Sequence, residues 1–112
     1  AVIVRDDVVI SNGWSHTPHY RLSNGQRSIH AEIHALARGR HKNLAGTEIF
    51  IASVWGKSRN LTNAMPCLDC AIALRSAGVY AVHYTFYKDV KKLWLPSETH
   101  FSDLKVYRNG DR

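Results

Sequence analysis

The chain has 112 residues, 45% of them hydrophobic and 21% charged, which suits a globular domain with its own core and excludes a disordered or low-complexity polypeptide. Fifteen Lys and Arg against nine Asp and Glu leave a net charge of +6 at pH 7, a balance that favours polyanionic partners. No apolar run approaches the ~18 residues of a membrane span, and the opening AVIVRDD has neither the basic flank nor the apolar core of a signal peptide, so no membrane association is expected.

Ala1 already stands in a strand-forming run, so residue 1 is read as lying inside a longer natural chain. AVIV and VVIS are β-branched runs separated by Arg5-Asp6-Asp7, a hairpin signal, and the second leads to Asn12-Gly13 and Trp14. A polar stretch with Pro18 and Asn24-Gly25 follows. Ile29, Ile33, Leu36 and Ala37 then share one helical face that ends at Gly39, with Ser28 as the expected N-cap. EIFIASVW reads as a third strand, apolar enough for burial on both faces. Pro66 suits the first turn of a second helix, with Leu68, Ala71, Ile72 and Leu74 toward the core and Gly78 as its cap. VYAVHYTF is a fourth strand, DVKKLWL a short helix halted before Pro96, and DLKVYR a fifth strand. From the third strand onward the order is strand, helix, strand, helix, strand, which favours parallel pairing through right-handed crossovers. The expectation is an α/β architecture, a mixed five-stranded sheet covered by helices, in a single domain over residues 1–112.

Two groups of residues carry chemistry. SIHAEIHAL, Ser28 to Leu36, places His30, Glu32 and His34 in one short helical stretch, and Cys67 and Cys70 stand three apart at the start of the second helix. A bridge between these cysteines would close a very short loop and stabilise little, so they read as a reduced pair in an intracellular, cytoplasmic protein. Asn60-Leu61-Thr62 fits the glycosylation acceptor pattern, which has meaning only in a secreted chain. Helix N-termini on one face of a sheet can lie side by side. His30, Cys67 and Cys70 could then converge on one zinc ion with a fourth position open, the arrangement of a catalytic site. His34 reads as an ordinary helix-face histidine; as a fourth ligand it would instead close the site and make it structural. The zinc-protease pattern is excluded, because Ala31 and not a glutamate follows His30. Glu32 lies roughly 200° around the helix from His30 and can approach a metal from another side. Arg38, Arg40 and Lys42, then Lys57 and Arg59, then Lys88, Lys91 and Lys92 run close to Trp55, Phe86, Tyr87 and Trp94. Such interleaving suits single-stranded nucleic acid, and a solvated basic surface accounts for it equally.

His30-Ala31-Glu32 followed by Pro66-Cys67-Leu68-Asp69-Cys70 resembles the zinc-dependent cytidine and deoxycytidylate deaminase superfamily, with its H-x-E and P-C-x-x-C motifs. AVIVRDDVVISNGWSHTP is similar to the opening strand pair and substrate-side loop of deoxycytidylate deaminases and related tRNA adenosine deaminases. CAIALRSAGVYAVHYT looks like the helix and following strand of the same group. The resemblance implies a three-layer cytidine-deaminase-like fold, with helices on both faces of a mixed five-stranded sheet. A helix usually precedes the first strand in relatives; if it is lacking in this protein, a second copy or a partner domain is expected to cover the exposed face. It further implies that His30, Cys67 and Cys70 hold Zn2+, that Glu32 moves protons, and that the amide of Ala31 and the carbonyl of Met65 contact the base. Trp14, Tyr20 and Trp55 are candidate pocket aromatics. Relatives commonly carry an asparagine after the second strand; this chain reads Trp14-Ser15-His16-Thr17-Pro18, so Ser15 or His16 is expected to stand in. Cytosine in single-stranded DNA or RNA is the leading expected substrate. A free cytosine nucleotide or nucleoside, adenine in tRNA, and a non-catalytic zinc module that binds nucleic acid are the alternatives.

Overall fold

The structure is a computed structural model that describes residues 1–16, 29–54, 56–95 and 106. Strands β1 (Val2–Arg5) and β2 (Val8–Asn12) are followed by helix α1 (Ala31–Arg38), strand β3 (Thr47–Ile51), helix α2 (Leu68–Ala77) and strands β4 (Val79–Phe86) and β5 (Asp89–Trp94). They form one five-stranded sheet in the order β2-β1-β3-β4-β5, mixed as expected, and the first described element is a strand.

Local chemistry explains the first pairing. Asp6 and Asp7 both take positive φ (51° and 64°), so Arg5 and Val8 pair across a two-residue turn whose twist matches that of the strands. Aspartate tolerates this left-handed conformation better than most residues. β1 also pairs antiparallel with β3, and β3 pairs parallel with β4 through α2. That is the single parallel pair among the described strands, fewer than the element order suggested. α1 and α2 pack against each other and against β2 and β4, above a core in which Ile3, Ala35, Ile49, Ala71, Leu74, Val79 and Val82 are essentially sealed from solvent.

Several sequence expectations change here. EIFIASVW does not run as one strand buried on both sides: β3 ends at Ile51, and Phe50 is 43% exposed because its side points away from α1 and α2. DVKKLWL is not a helix but β5, paired antiparallel with β4 from Phe86↔Asp89 to Ala81↔Trp94. Val90, Leu93 and Trp94 stand at helical spacing, yet the free hydrogen-bonding edge of β4 two residues away captures the segment through the Tyr87-Lys88 turn, with Tyr87 at φ 56°. The expected strand DLKVYR lies outside the described residues except for Val106, which is buried in the core. Ser28 also lies outside them, and His30 occupies the N-cap position of α1. Pro66 is buried ahead of α2, whose N-cap is Cys67; Gly78 ends that helix in the left-handed region at φ 99°, as expected. Among the described residues no helix is long and apolar enough to cross a membrane.

Candidate metal centre and cleft

Both helices start at a candidate ligand. The N-caps are His30 and Cys67, each in extended backbone and neither closing a side-chain capping hydrogen bond. Their side chains turn instead toward each other and toward Cys70 in the first turn of α2. His30 Nδ1 is 3.3 Å from Cys70 Sγ and 3.7 Å from Cys67 Sγ, and the three donor atoms all lie within 4.8 Å of one another. Two ligands at zinc bond lengths of about 2.0–2.3 Å and a tetrahedral angle stand roughly 3.6 Å apart, so this donor set already has the spacing of a zinc site. One imidazole and two sulfurs are also the chemistry that zinc prefers. Neither cysteine is in a disulfide.

The two sulfurs are electrostatically unequal. Cys67 is drawn down to about 5, chiefly by the hydrogen bond from the Cys70 side chain, with His30 helping against the desolvation that opposes it. Cys70 is pushed up, first because it is the donor in that bond, then because it is buried and faces Glu32. A divalent cation bound here would favour both sulfurs as thiolates and displace their protons.

Glu32 is 7% exposed in the first turn of α1, with its carboxylate against Cys70. A buried carboxylate beside three metal donors is costly unless a cation or a proton-bearing ligand faces it. It opens onto a cleft of about 180 Å³ that runs between Ser15, the start of α1 (His30, Ala31, Glu32), the end of β3 (Ile51, Ala52, Ser53) and Asn63, Ala64 and Met65 before α2. Pockets enclosing drug-sized ligands run to roughly 300–1,000 Å³, so this one has room for a single flat ring.

Of the sequence-predicted residues, the structure brings together His30, Cys67, Cys70, Glu32, Ala31, Met65 and Ser15. Trp14 and His16 do not line the cleft. The cause is Gly13, packed so closely on α1 that a Cβ there would stand 2.3 Å from the Ala35 backbone nitrogen. Trp14 is thereby turned outward, 53% exposed, with the Arg38 guanidinium 5.0 Å from its ring centroid. His16 bridges to Ile29 through two backbone hydrogen bonds. His34 packs between the rings of Trp14 and His16, and its Nδ1 accepts the Trp14 N–H at 3.1 Å. Desolvation, with His16 and Arg38 nearby, lowers the His34 pKa from its usual value. It is thus engaged away from the three-donor cluster and does not close it. Trp55 and Tyr20 lie outside the described residues.

Asn63 and Ser53 were not singled out in the sequence. The Ser53 hydroxyl is held by Thr62 Oγ1 at 2.9 Å, and Thr85 Oγ1 ties the two segments by accepting from Ser53 N–H and donating to the Thr62 carbonyl. Asn63 Oδ1 accepts the Met65 N–H at 2.9 Å. The available signal was an asparagine three residues before a Pro-Cys pair, a position suited to a turn that aims the following chain.

A mixed sheet that brings one histidine, two cysteines and a buried glutamate to two adjacent helix starts defines a zinc-binding deaminase-type domain. Residues 1–86 match the family model described as the cytidine and deoxycytidylate deaminase zinc-binding region, and the chain belongs to that family. Among solved structures, the dCMP deaminase from the cyanophage S-TIM5, in its apo form, shares this fold. The identity is 23% and the TM-score 0.54, with 79% of this chain and 65% of that one covered. The present chain therefore spans about two-thirds of the length of that protein. No curated protein sequence matches it.

Proposed function

We propose that this protein catalyses the zinc-dependent hydrolytic deamination of a cytosine ring, with a free cytosine nucleotide as substrate. The observation that carries the reading is Glu32, a buried carboxylate placed in a ring-sized cleft beside a three-donor metal cluster to which His34 adds no fourth ligand. His30, Cys67 and Cys70 would hold the zinc ion, which would supply a water nucleophile at neutral pH by lowering the pKa of water from about 15.7 to about 7. Glu32 takes the proton of that water and passes it to the ring nitrogen next to the amine-bearing carbon. A carbon–oxygen bond forms at that carbon; Glu32 then carries the proton of the added hydroxyl to the amine, so that the carbon–nitrogen bond breaks, ammonia leaves and the oxygen becomes the ring carbonyl. The Ala31 amide and Met65 carbonyl, from two residues that line the cleft, orient the ring by its polar edges. A reduced cysteine pair suits an intracellular, cytoplasmic setting.

Family membership and the small cleft support a monomeric nucleotide. A second reading, cytosine in single-stranded DNA or RNA, is favoured by one specific feature: exposed Trp14, one residue from cleft-lining Ser15 and capped by Arg38, offers a stacking surface beside the site. The test is ammonia release from deoxycytidylate, from a cytosine-containing single strand and from an adenine-containing RNA hairpin, with Glu32→Gln as control. Turnover of the nucleotide alone is the expected result. Turnover of the strand alone selects the second reading, and a zinc-loaded protein inert on all three leaves a structural zinc module.

A further inference from the structure

The cleft wall opposite α1 is built by a short segment whose geometry is fixed at both ends. Asn63 bridges to Phe86 of β4, and the Ala64 N–H donates to the Thr85 carbonyl at 2.8 Å, so the segment leaves the sheet from a set point. Asn63 Oδ1 then accepts the Met65 N–H at 2.9 Å, closing a turn over one residue. Pro66 follows, buried, and restricts Met65 to extended backbone. Next comes Cys67, N-cap of α2 and a candidate ligand. The peptide groups on either side of Met65 are thus constrained, one by the Asn63 side chain and the other by the proline ring.

We propose that Asn63 is a positioning residue for base discrimination: its side-chain carbonyl fixes the Met65 backbone so that the Met65 carbonyl accepts a hydrogen bond from the exocyclic amine of cytosine and repels the oxygen that replaces it in uracil. The proposal rests on the deamination reading and adds to it the residue that separates substrate from product. A carbonyl is an acceptor only. It attracts the amine and opposes the product's carbonyl oxygen as long as its direction is held, and a carbonyl free to rotate does neither. The surroundings support a positioning role, since Ser53, Thr62 and Thr85 lock the neighbouring segment through hydroxyl bonds.

The test uses zinc-loaded protein in a Glu32→Gln background, where binding is read without turnover. Calorimetric affinities for deoxycytidylate and deoxyuridylate give a discrimination ratio. The ratio is compared for Asn63, for Asn63→Ala, which loses the acceptor, and for Asn63→Asp, which keeps a side-chain oxygen in the same place. Zinc content and melting temperature are measured alongside. The expected result is about a tenfold or greater fall in the ratio for Asn63→Ala, recovered in Asn63→Asp, with one zinc per chain throughout. In the active background the same Asn63→Ala change raises the product inhibition that accumulates during turnover. A ratio that stays constant while absolute affinity falls overturns the proposal and leaves Asn63 a structural residue. Loss of the ratio in both variants overturns it too, since the acceptor oxygen would then be irrelevant. Failure of the deamination reading looks different: the Asn63 parent itself shows no preference for cytosine over uracil nucleotides.

Discussion

On the face that carries α1 and α2, neighbouring strands contribute Ile3, Ile49 and Val82, all sealed, and the helices answer with Ala35, Ala71 and Leu74. On the other face the same strands carry Phe50 and His83, whose rings stack at 4.3 Å, and Glu48, which pairs with His83 at 2.8 Å and lies 3.8 Å from Lys92 Nζ. Tyr80 stacks on Trp94 there, with Lys92 over the indole. One face is organised by volume, with small residues admitting close helices, and the other by pairwise ring and charge contacts open to water. The candidate site belongs to the first, at the edge where β3 ends and both helices begin. Its geometry therefore depends on close packing, whereas the second face can be altered with little consequence for chemistry.

The largest way to sharpen this contrast is metal removal. Chelation is expected to abolish deamination and lower the melting temperature, with amide exchange rising first at the starts of α1 and α2 and hardly at all in β5; mass spectrometry of exchanged protein reads the pattern. Glu32→Gln comes next. Deamination should fall by ~10²–10⁴-fold while zinc content is kept, and a variant that stays fully active would remove Glu32 from the reaction. Gly13→Ala should destabilise by about 1–3 kcal/mol in a denaturant titration, because its Cβ meets backbone and not a movable side chain. The smallest effects belong to the open face. Phe50→Ala should cost about 0.5–1.5 kcal/mol with unchanged activity.

Glu48 gives the same face a pH signature. The His83 hydrogen bond holds its carboxyl below the usual value of 4.5, opposed by partial desolvation and aided by His83 and Lys92 charge. A carboxylate lowered in the folded state contributes its stability fully above the unfolded pKa and loses it as pH falls through the folded one. Glu48→Gln should thus lower the melting temperature slightly near neutrality and leave it unaltered at strongly acid pH, which flattens the acid side of the profile.

How much of this was legible in the sequence follows from the range of the forces involved. The metal donors were legible because each rests on local chemistry: a helix start, an i to i+3 spacing, a glycine cap. Hairpin β1-β2 was legible for the same reason. β5 was not, because Val90, Leu93 and Trp94 satisfy a helical period and the Tyr87-Lys88 turn carries no glycine or asparagine; pairing with β4 decided it. The fate of His34 was equally hidden. Nothing in SIHAEIHAL tells that the glycine wedge at residue 13 presents the Trp14 N–H to its ring. Asn63 was illegible because an asparagine in a polar loop gains meaning only when its acceptor is seen against a particular amide.

The two N-cap ligands have a consequence for how the chain is held together. His30 and Cys67 are separated by 37 residues, and an ion joining them turns the intervening chain into a closed ring that contains α1 and β3. In topological terms the metal acts as a reversible cross-link in a protein whose cysteines form no covalent one, restricting the unfolded chain much as a bridge of that span does. The amount of available zinc would then set how tightly this loop is stapled as well as whether the cleft can react. Starvation for the ion would release β3 and α2 from α1 before it disturbed the terminal hairpin.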